Sequence, residues 1–222
     1  MPRANLTARD MFRIRIDRQK GEIFNSVTHL TGSVFAVAGL VSLLVTAAPT
    51  GDPWKITSFA VYGAALVALY LFSTLYHSVT GRAKGIFRRL DHTSIYVLIA
   101  GTYTPFALVS LRGPRGYTLF GVVWTLAAVG ILQEFLVPRR IRGLSVSLYL
   151  LMGWLALAVF VPLRQAIGSA GMIWLVAGGI LYTTGVFFYL VDEKYAHSHG
   201  VFHLFVLGGS VLHFFAVLLF VA

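Results

Sequence analysis

Seven histidines stand in a 222-residue chain that has no cysteine, and three of them are spaced so that their imidazoles could share one metal ion. His199 and His203 are four residues apart, which on a helix of 3.6 residues per turn puts both rings on one face about a turn apart. That spacing suits capture of a metal by two nitrogens. His77, at the end of a separate apolar run, could supply a third, and three histidines leave zinc a fourth position for water. The His199/His203 pair alone could as well cap a helix or face headgroups. It is the third imidazole, at similar depth, that favours zinc.

Ser73 lies one turn before His77 on the same helix face and could orient a ligand or donate to a developing oxyanion. It could equally be a packing residue between membrane helices. Asp91 could accept a proton from zinc-bound water or hold a ligating imidazole through a hydrogen bond. Its alternatives are the N-cap of a third helix, which stands slightly ahead on residue physics alone, or pairing with Arg88 and Arg89. Glu22, Asn25 and His29 form one helical stripe that should face protein. His29 falls about 10 Å beyond Glu22, and His213 about 15 Å beyond His203, so both are expected deeper than the metal, as a mutual or Asn/Ser-bonded polar pair. His92 and His197 read as interfacial or loop residues. The chain has no His-Glu-x-x-His, Gly-x-Ser-x-Gly or phosphate-loop motif, which disfavours serine hydrolase chemistry and nucleotide-driven transport.

These residues must be positioned by membrane helices. With 57% hydrophobic and 12% charged residues and a mean hydropathy of +0.78, the composition excludes a water-soluble domain and a disordered chain. The lack of cysteine excludes a disulfide framework and a thiolate metal site, and leaves the redox compartment unreadable. Apolar runs long enough to cross occur at about Phe24 to Ala47, Thr57 to His77, Asp91 to Ser110, Tyr117 to Val137, Leu144 to Val161, Met172 to Val191 and Gly200 to Val221. The predicted fold is an all-α seven-transmembrane helix bundle, residues 24–222, preceded by a basic segment, residues 1–23, that lacks a cleavage site and is retained. Fourteen of the 18 Lys and Arg residues fall on one side of these spans. The other side holds only Lys55, Arg112, Arg115 and Arg164, so the N-terminus is expected in the cytoplasm and the C-terminus outside. Met11 to Lys20 reads either as a surface-lying amphipathic segment or as a solvated basic tail. The net charge of +10 is expected to meet anionic headgroups rather than nucleic acid. Gly178, Gly179, Gly208, Gly209 and Ser210 should allow close helix approach within the bundle, and Pro105 should kink the third helix. Oligomeric state is not legible.

Taken in order, Glu22-Ile-Phe-Asn25-Ser-Val-Thr-His29, Ser73-Thr-Leu-Tyr-His77, Arg89-Leu-Asp91-His92, Ala100-Gly-Thr-Tyr-Thr-Pro105 and Ser198-His199-Gly-Val-Phe-His203 resemble the hemolysin III branch of the progestin and adipoQ receptor family. That family includes the adiponectin receptors and is distantly similar to alkaline ceramidases. The resemblance runs from Glu22 to near the C-terminus. It implies a seven-helix bundle with its amino end in the cytoplasm, opposite to G-protein-coupled receptors, in a bacterial plasma membrane. It also implies zinc held by His77, His199 and His203, with Asp91 near the zinc-bound water and Ser73 matching the serine of the second-helix motif. The chain departs in its short connection from His77 to Asp91 and in having no large terminal domain, so a hormone-receptor role does not carry over.

Three functions compete at this stage. One is a zinc-dependent hydrolase acting on a lipid amide or ester, with catalytic roles for Asp91 and Ser73 and a membrane lipid as substrate. A second is a non-catalytic membrane-homeostasis or lipid-sensing protein in which zinc clamps two helices. The third is a pore-forming hemolysin, which ranks last because the polar residues gather at one end instead of lining several helices.

Overall fold

The computed structural model describes residues 8–137, 141–195 and 197–221, with side chains from Gly21 onward. Every regular element among them is helical. The long helices are α1 (Ala8–Ala47), α2 (Pro53–Ser78), α3 (Gly81–Pro105), α4 (Pro114–Leu136), α5 (Arg142–Trp154), α6 (Phe160–Leu190) and α7 (Ser198–Phe220). Long apolar sequence forces this choice, because backbone amides that meet lipid have to be satisfied within their own segment. Local chemistry sets the ends. Asp52 caps α2 by accepting from the Trp54 amide at 2.9 Å, Pro53 supplies the first residue, and Gly51 turns the chain with a left-handed φ of 63°.

Six helical stretches among the described residues are long and apolar enough to cross a membrane, so the chain is a multi-pass membrane protein. Five of them match the expected spans one to four and seven, the fourth and seventh to within one residue at their ends. The expected fifth and sixth spans both fall, to within one residue, in the remaining stretch, Arg142–Leu190, which is 49 residues long. It is interrupted by a 3₁₀ segment, Leu155–Val159, and by Gly168, whose φ of 71° and ψ of 172° leave helical space. Pro105 does break the regularity of α3, since a π-helical turn, Phe106–Ser110, follows it directly.

One expectation about α3 fails. The helix begins at Gly81, not at Asp91, because the basic stretch from Arg82 to Arg89 is itself helical. Asp91 therefore sits ten residues inside the helix and cannot be its N-cap; Thr80 occupies that position. The helix α1 is continuous from Ala8 to Ala47. The amphipathic reading of Met11 to Lys20 concerns side chains outside the described set.

The interior has two packed regions that share α3. One joins α1, α2 and α7 through residues such as Leu43, Phe59, Tyr62, Leu66, Tyr70 and Val217, and the other joins α3, α4 and α5 through Tyr96, Tyr103, Val123, Tyr149 and Met152. Close approach rests on glycine at particular notches. At Gly130 of α4 an added Cβ would collide with the Tyr96 ring of α3, and at Gly209 of α7 it would come within 2.9 Å of the Tyr182 ring of α6. Exposed apolar side chains such as Val34, Phe35, Val41 and Val45 of α1 face outward, as they would toward lipid.

Candidate metal centre

The C-terminal end of α2 and the N-terminal end of α7 bring His77, His199 and His203 together. One nitrogen from each ring lies within 4.8 Å of the others, and the ring centroids are 4.7 to 5.3 Å apart. His77 and His203 are buried and His199 is half-buried. Sequence spacing and structure thus agree on where these three residues sit.

Two carboxylates decide which nitrogens face inward. His77 donates Nδ1–H to Glu22 of α1 at 2.8 Å, and His199 donates Nδ1–H to Asp192, in the α6–α7 connection, at 2.8 Å. A carboxylate only accepts, so the proton of each neutral ring is on Nδ1 and the lone pair is left on Nε2. This is the arrangement by which metal-binding histidines are commonly oriented. Glu22 is held in turn by Lys84 at 3.1 Å, and Asp192 by Arg142 at 2.7 Å. Arg142 also reaches Glu193 at 3.0 Å, bonds the Tyr189 carbonyl and stacks 4.1 Å over the Tyr189 ring. Burial pushes the Asp192 carboxyl up, but the hydrogen bonds from His199 and Arg142 outweigh it and hold the group below its usual value. Asp192 is therefore an anion beside His199.

Whether this donor set suits a metal can be judged from its unmet bonding capacity. His77 Nε2 and His203 Nδ1 are buried with no hydrogen-bond partner among the described residues, as are Ser73 Oγ, Asn25 Oδ1 and both ring nitrogens of His29. Buried polar atoms are nearly always satisfied, so several orphans gathered at one place point to a bound group. Three imidazoles within the reach of zinc–nitrogen bonds of about 2.0–2.1 Å, after small ring rotations, fit such a group.

The remaining candidates border the same space. A cavity of about 170 Å³ is lined by Ser73, Asp91, His199 and His203 at its polar end, and continues between apolar side chains along α3 as far as Phe106 and along α7 as far as His213. At 1.5 Å per residue both stretches measure about 20 Å. A polar vestibule lined by Tyr76, Arg142, Asp192 and Glu193 opens beside it, and His92, Tyr189 and His199 border both spaces.

Two expectations need correction. His29 and His213 do not form a pair. The ring of His29 stacks on His203 at 3.6 Å, because α1 packs against α7 and carries His29 to the edge of the triad, while His213 Nε2 bonds the Leu175 carbonyl at 3.0 Å. His92 is not a loop residue. It lies within α3 with Nδ1 3.9 Å from Glu134 of α4, a buried carboxylate that also accepts from Ser145 at 2.8 Å. The sequence reading missed the parts played by Glu22, Asp192 and Arg142. A signal existed for Glu22, since the stripe it shares with Asn25 and His29 was expected to face protein.

Comparison with known proteins gives the family of the chain. Residues 18–214 match the family model described as haemolysin-III related, and the chain belongs to that family. It is 44% identical to Hemolysin-3 of Bacillus cereus over 203 residues, covering 91% of this chain and 92% of the relative. It is 45% identical to a Hemolysin-3 homolog of Bacillus subtilis (strain 168) over 202 residues, covering 90% and 94%. A more distant likeness is to the human monocyte to macrophage differentiation factor, 28% identical over 172 residues, or 75% of this chain and 71% of the relative.

If Glu22 and Asp192 orient ligands, removing either charge should weaken metal retention without unfolding the bundle. Glu22→Gln and Asp192→Asn are expected to lower zinc affinity about 10- to 100-fold in chelator competition. Wild-type affinity in both variants would mean that the carboxylates only tie helices together.

Proposed function

We propose that this chain is a zinc-dependent hydrolase of the haemolysin-III related family that cleaves an amide or ester bond of a membrane lipid. The observation that carries the reading is the group of three imidazoles, two of which, His199 and His203, line the polar end of a long apolar cavity that Asp91 and Ser73 also border. Structural zinc is usually held by four protein ligands, whereas three leave a place open for chemistry. The apolar depth beyond is suited to a lipid chain, which would bring its carbonyl to the polar end.

The proposed setting is a bundle of seven crossings. A helix of 49 residues would measure about 74 Å at 1.5 Å per residue, more than twice the roughly 30 Å hydrocarbon layer, and Arg142–Leu190 leaves helical geometry at Gly168. Two crossings in this stretch account for both facts. The distribution of basic residues supports an amino end and a histidine site on the inner side of the membrane, with the C-terminus outside, and the membrane proposed is a bacterial plasma membrane. Tags at the two ends should be accessible from opposite sides, the amino-terminal one from the cytoplasm. Accessibility of both from one side would remove the seven-crossing topology.

Bound by His77, His199 and His203, zinc supplies Lewis-acid polarisation of a carbonyl and acidification of water. The chain's own residues do the rest. Glu22 and Asp192 keep two imidazole lone pairs aimed inward, and the apolar wall excludes bulk water from the chain-binding space. Asp91, at the cavity's polar end, takes a proton from the attacking water as the new carbon–oxygen bond forms. It returns that proton to the amine or alcohol released when the amide or ester bond breaks. Ser73, whose hydroxyl has no hydrogen-bond partner among the described residues, donates to the carbonyl oxygen as negative charge builds there.

Purified protein should contain one zinc per chain by elemental analysis, and His199→Ala should lose it. Turnover across a panel of ceramides, phospholipids and acyl amides should fall by about 10²-fold or more in Asp91→Asn, with zinc retained. Full zinc content with turnover no faster than that of His77→Ala would instead favour a metal clamp between α2 and α7. Metal-independent single-channel currents from pure protein would favour a pore.

A further inference from the structure

His213 is an ionisable residue well inside the bundle, about 15 Å along α7 from His203, where membrane helices rarely carry such a group without a purpose. Its ring fits a notch at Gly178 of α6, where any side chain would collide with it, and the Tyr182 ring meets it edge-on at 5.2 Å. Nε2 lies 3.0 Å from the Leu175 carbonyl. A carbonyl can only accept, so Nε2 carries the proton and Nδ1 of the neutral ring is an acceptor. No hydrogen bond to Nδ1 occurs among the described residues, and the residue lines the cavity that begins at the triad.

The neighbouring polar groups already have partners. Tyr182 and Tyr70 share Ser210, each at 2.7 Å, and Thr183 accepts from Trp154 at 3.1 Å while donating to the Gly179 carbonyl at 2.8 Å. Among the described residues, the deep part of this largely apolar space therefore holds a neutral imidazole acceptor that receives no hydrogen bond. An apolar chain lying against it would leave that nitrogen unsatisfied, whereas a chain with a hydroxyl at that depth would satisfy it.

We propose that His213 is a specificity site for a hydroxyl group partway along a lipid chain, so that the cavity prefers hydroxylated acyl chains to plain ones. This rests on the reading of the cavity as a lipid-chain site and names a substrate class for it. The choice of hydroxyl follows from the neutral acceptor: a carboxylate offers no donor, and a charged amine would have to leave water for an apolar wall.

The test is equilibrium binding of two fatty acids, stearate and 12-hydroxystearate, to the full-length protein in detergent. One added hydrogen bond is expected to make the hydroxylated acid bind about three- to tenfold tighter. His213→Phe, which has no acceptor, should bind the two acids equally. His213→Asn, which keeps an acceptor near the place of Nδ1, should retain the preference. Should His213→Phe fail to hold stearate, the smaller His213→Leu takes its place in the comparison. Equal binding by wild type, persistence of the preference in His213→Phe or His213→Leu, or its loss in His213→Asn overturns the specificity site while leaving the lipid cavity standing. Failure of wild type to bind either acid removes the lipid-chain reading as well.

Discussion

Polar atoms inside a membrane bundle have to be satisfied by one another or by something they bind, and that constraint organises this protein. At most positions the demand is met locally. Tyr70 and Tyr182 meet at Ser210, Trp154 finds Thr183, and serines and threonines along the helices donate to carbonyls one turn back. At the meeting of α1, α2 and α7 it is not met. Imidazole nitrogens of His29, His77 and His203 and the Ser73 hydroxyl are buried together without partners among the described residues. Single polar atoms elsewhere, such as Tyr62 Oη and Ser110 Oγ, also lack a partner among the described residues, but here several imidazole nitrogens are left open together, a group that could hold a ligand that binds nitrogen.

The supporting structure follows from that site. Each carboxylate comes from a different element than the histidine it bonds: Glu22 from α1 holds His77 of α2, and Asp192 from the α6–α7 connection holds His199 of α7. Lys84 of α3 and Arg142 of α5 then hold the carboxylates. Five of the seven helices and one connection thus converge on one small region at the basic end of the bundle. The ion pairs matter here for direction more than for stability, because partly exposed pairs contribute little to folding while fixing which nitrogen carries the proton.

How far the sequence foretold this varied with the range of the interaction involved. Spacing within one helix was legible. The four-residue interval of His199 and His203 and the stripe of Glu22, Asn25 and His29 depend only on helical geometry, and both faces point as expected. Apolar runs located the membrane stretches but not their ends. The basic turns before Asp91 are too charged to read as a span, so the aspartate was taken for a cap when it lies well inside α3. Apart from the meeting of His77 with the α7 pair, contacts between helices were not legible: nothing local tells that His29 would stack on His203, or that His92 would approach Glu134. Charge pattern likewise failed to mark Asp192 and Arg142, whose roles arise only when α5 comes up beside the α6–α7 connection.

The central claim is that three imidazoles hold one zinc ion with a position left open. X-ray absorption at the zinc edge, on purified protein as isolated, tests it most directly. The predicted spectrum has four ligands at about 2.0–2.1 Å, three of them with the outer-shell scattering of imidazole and the fourth a lone oxygen. A zinc shell without imidazole scattering, or one closed by four protein nitrogens, would contradict the account.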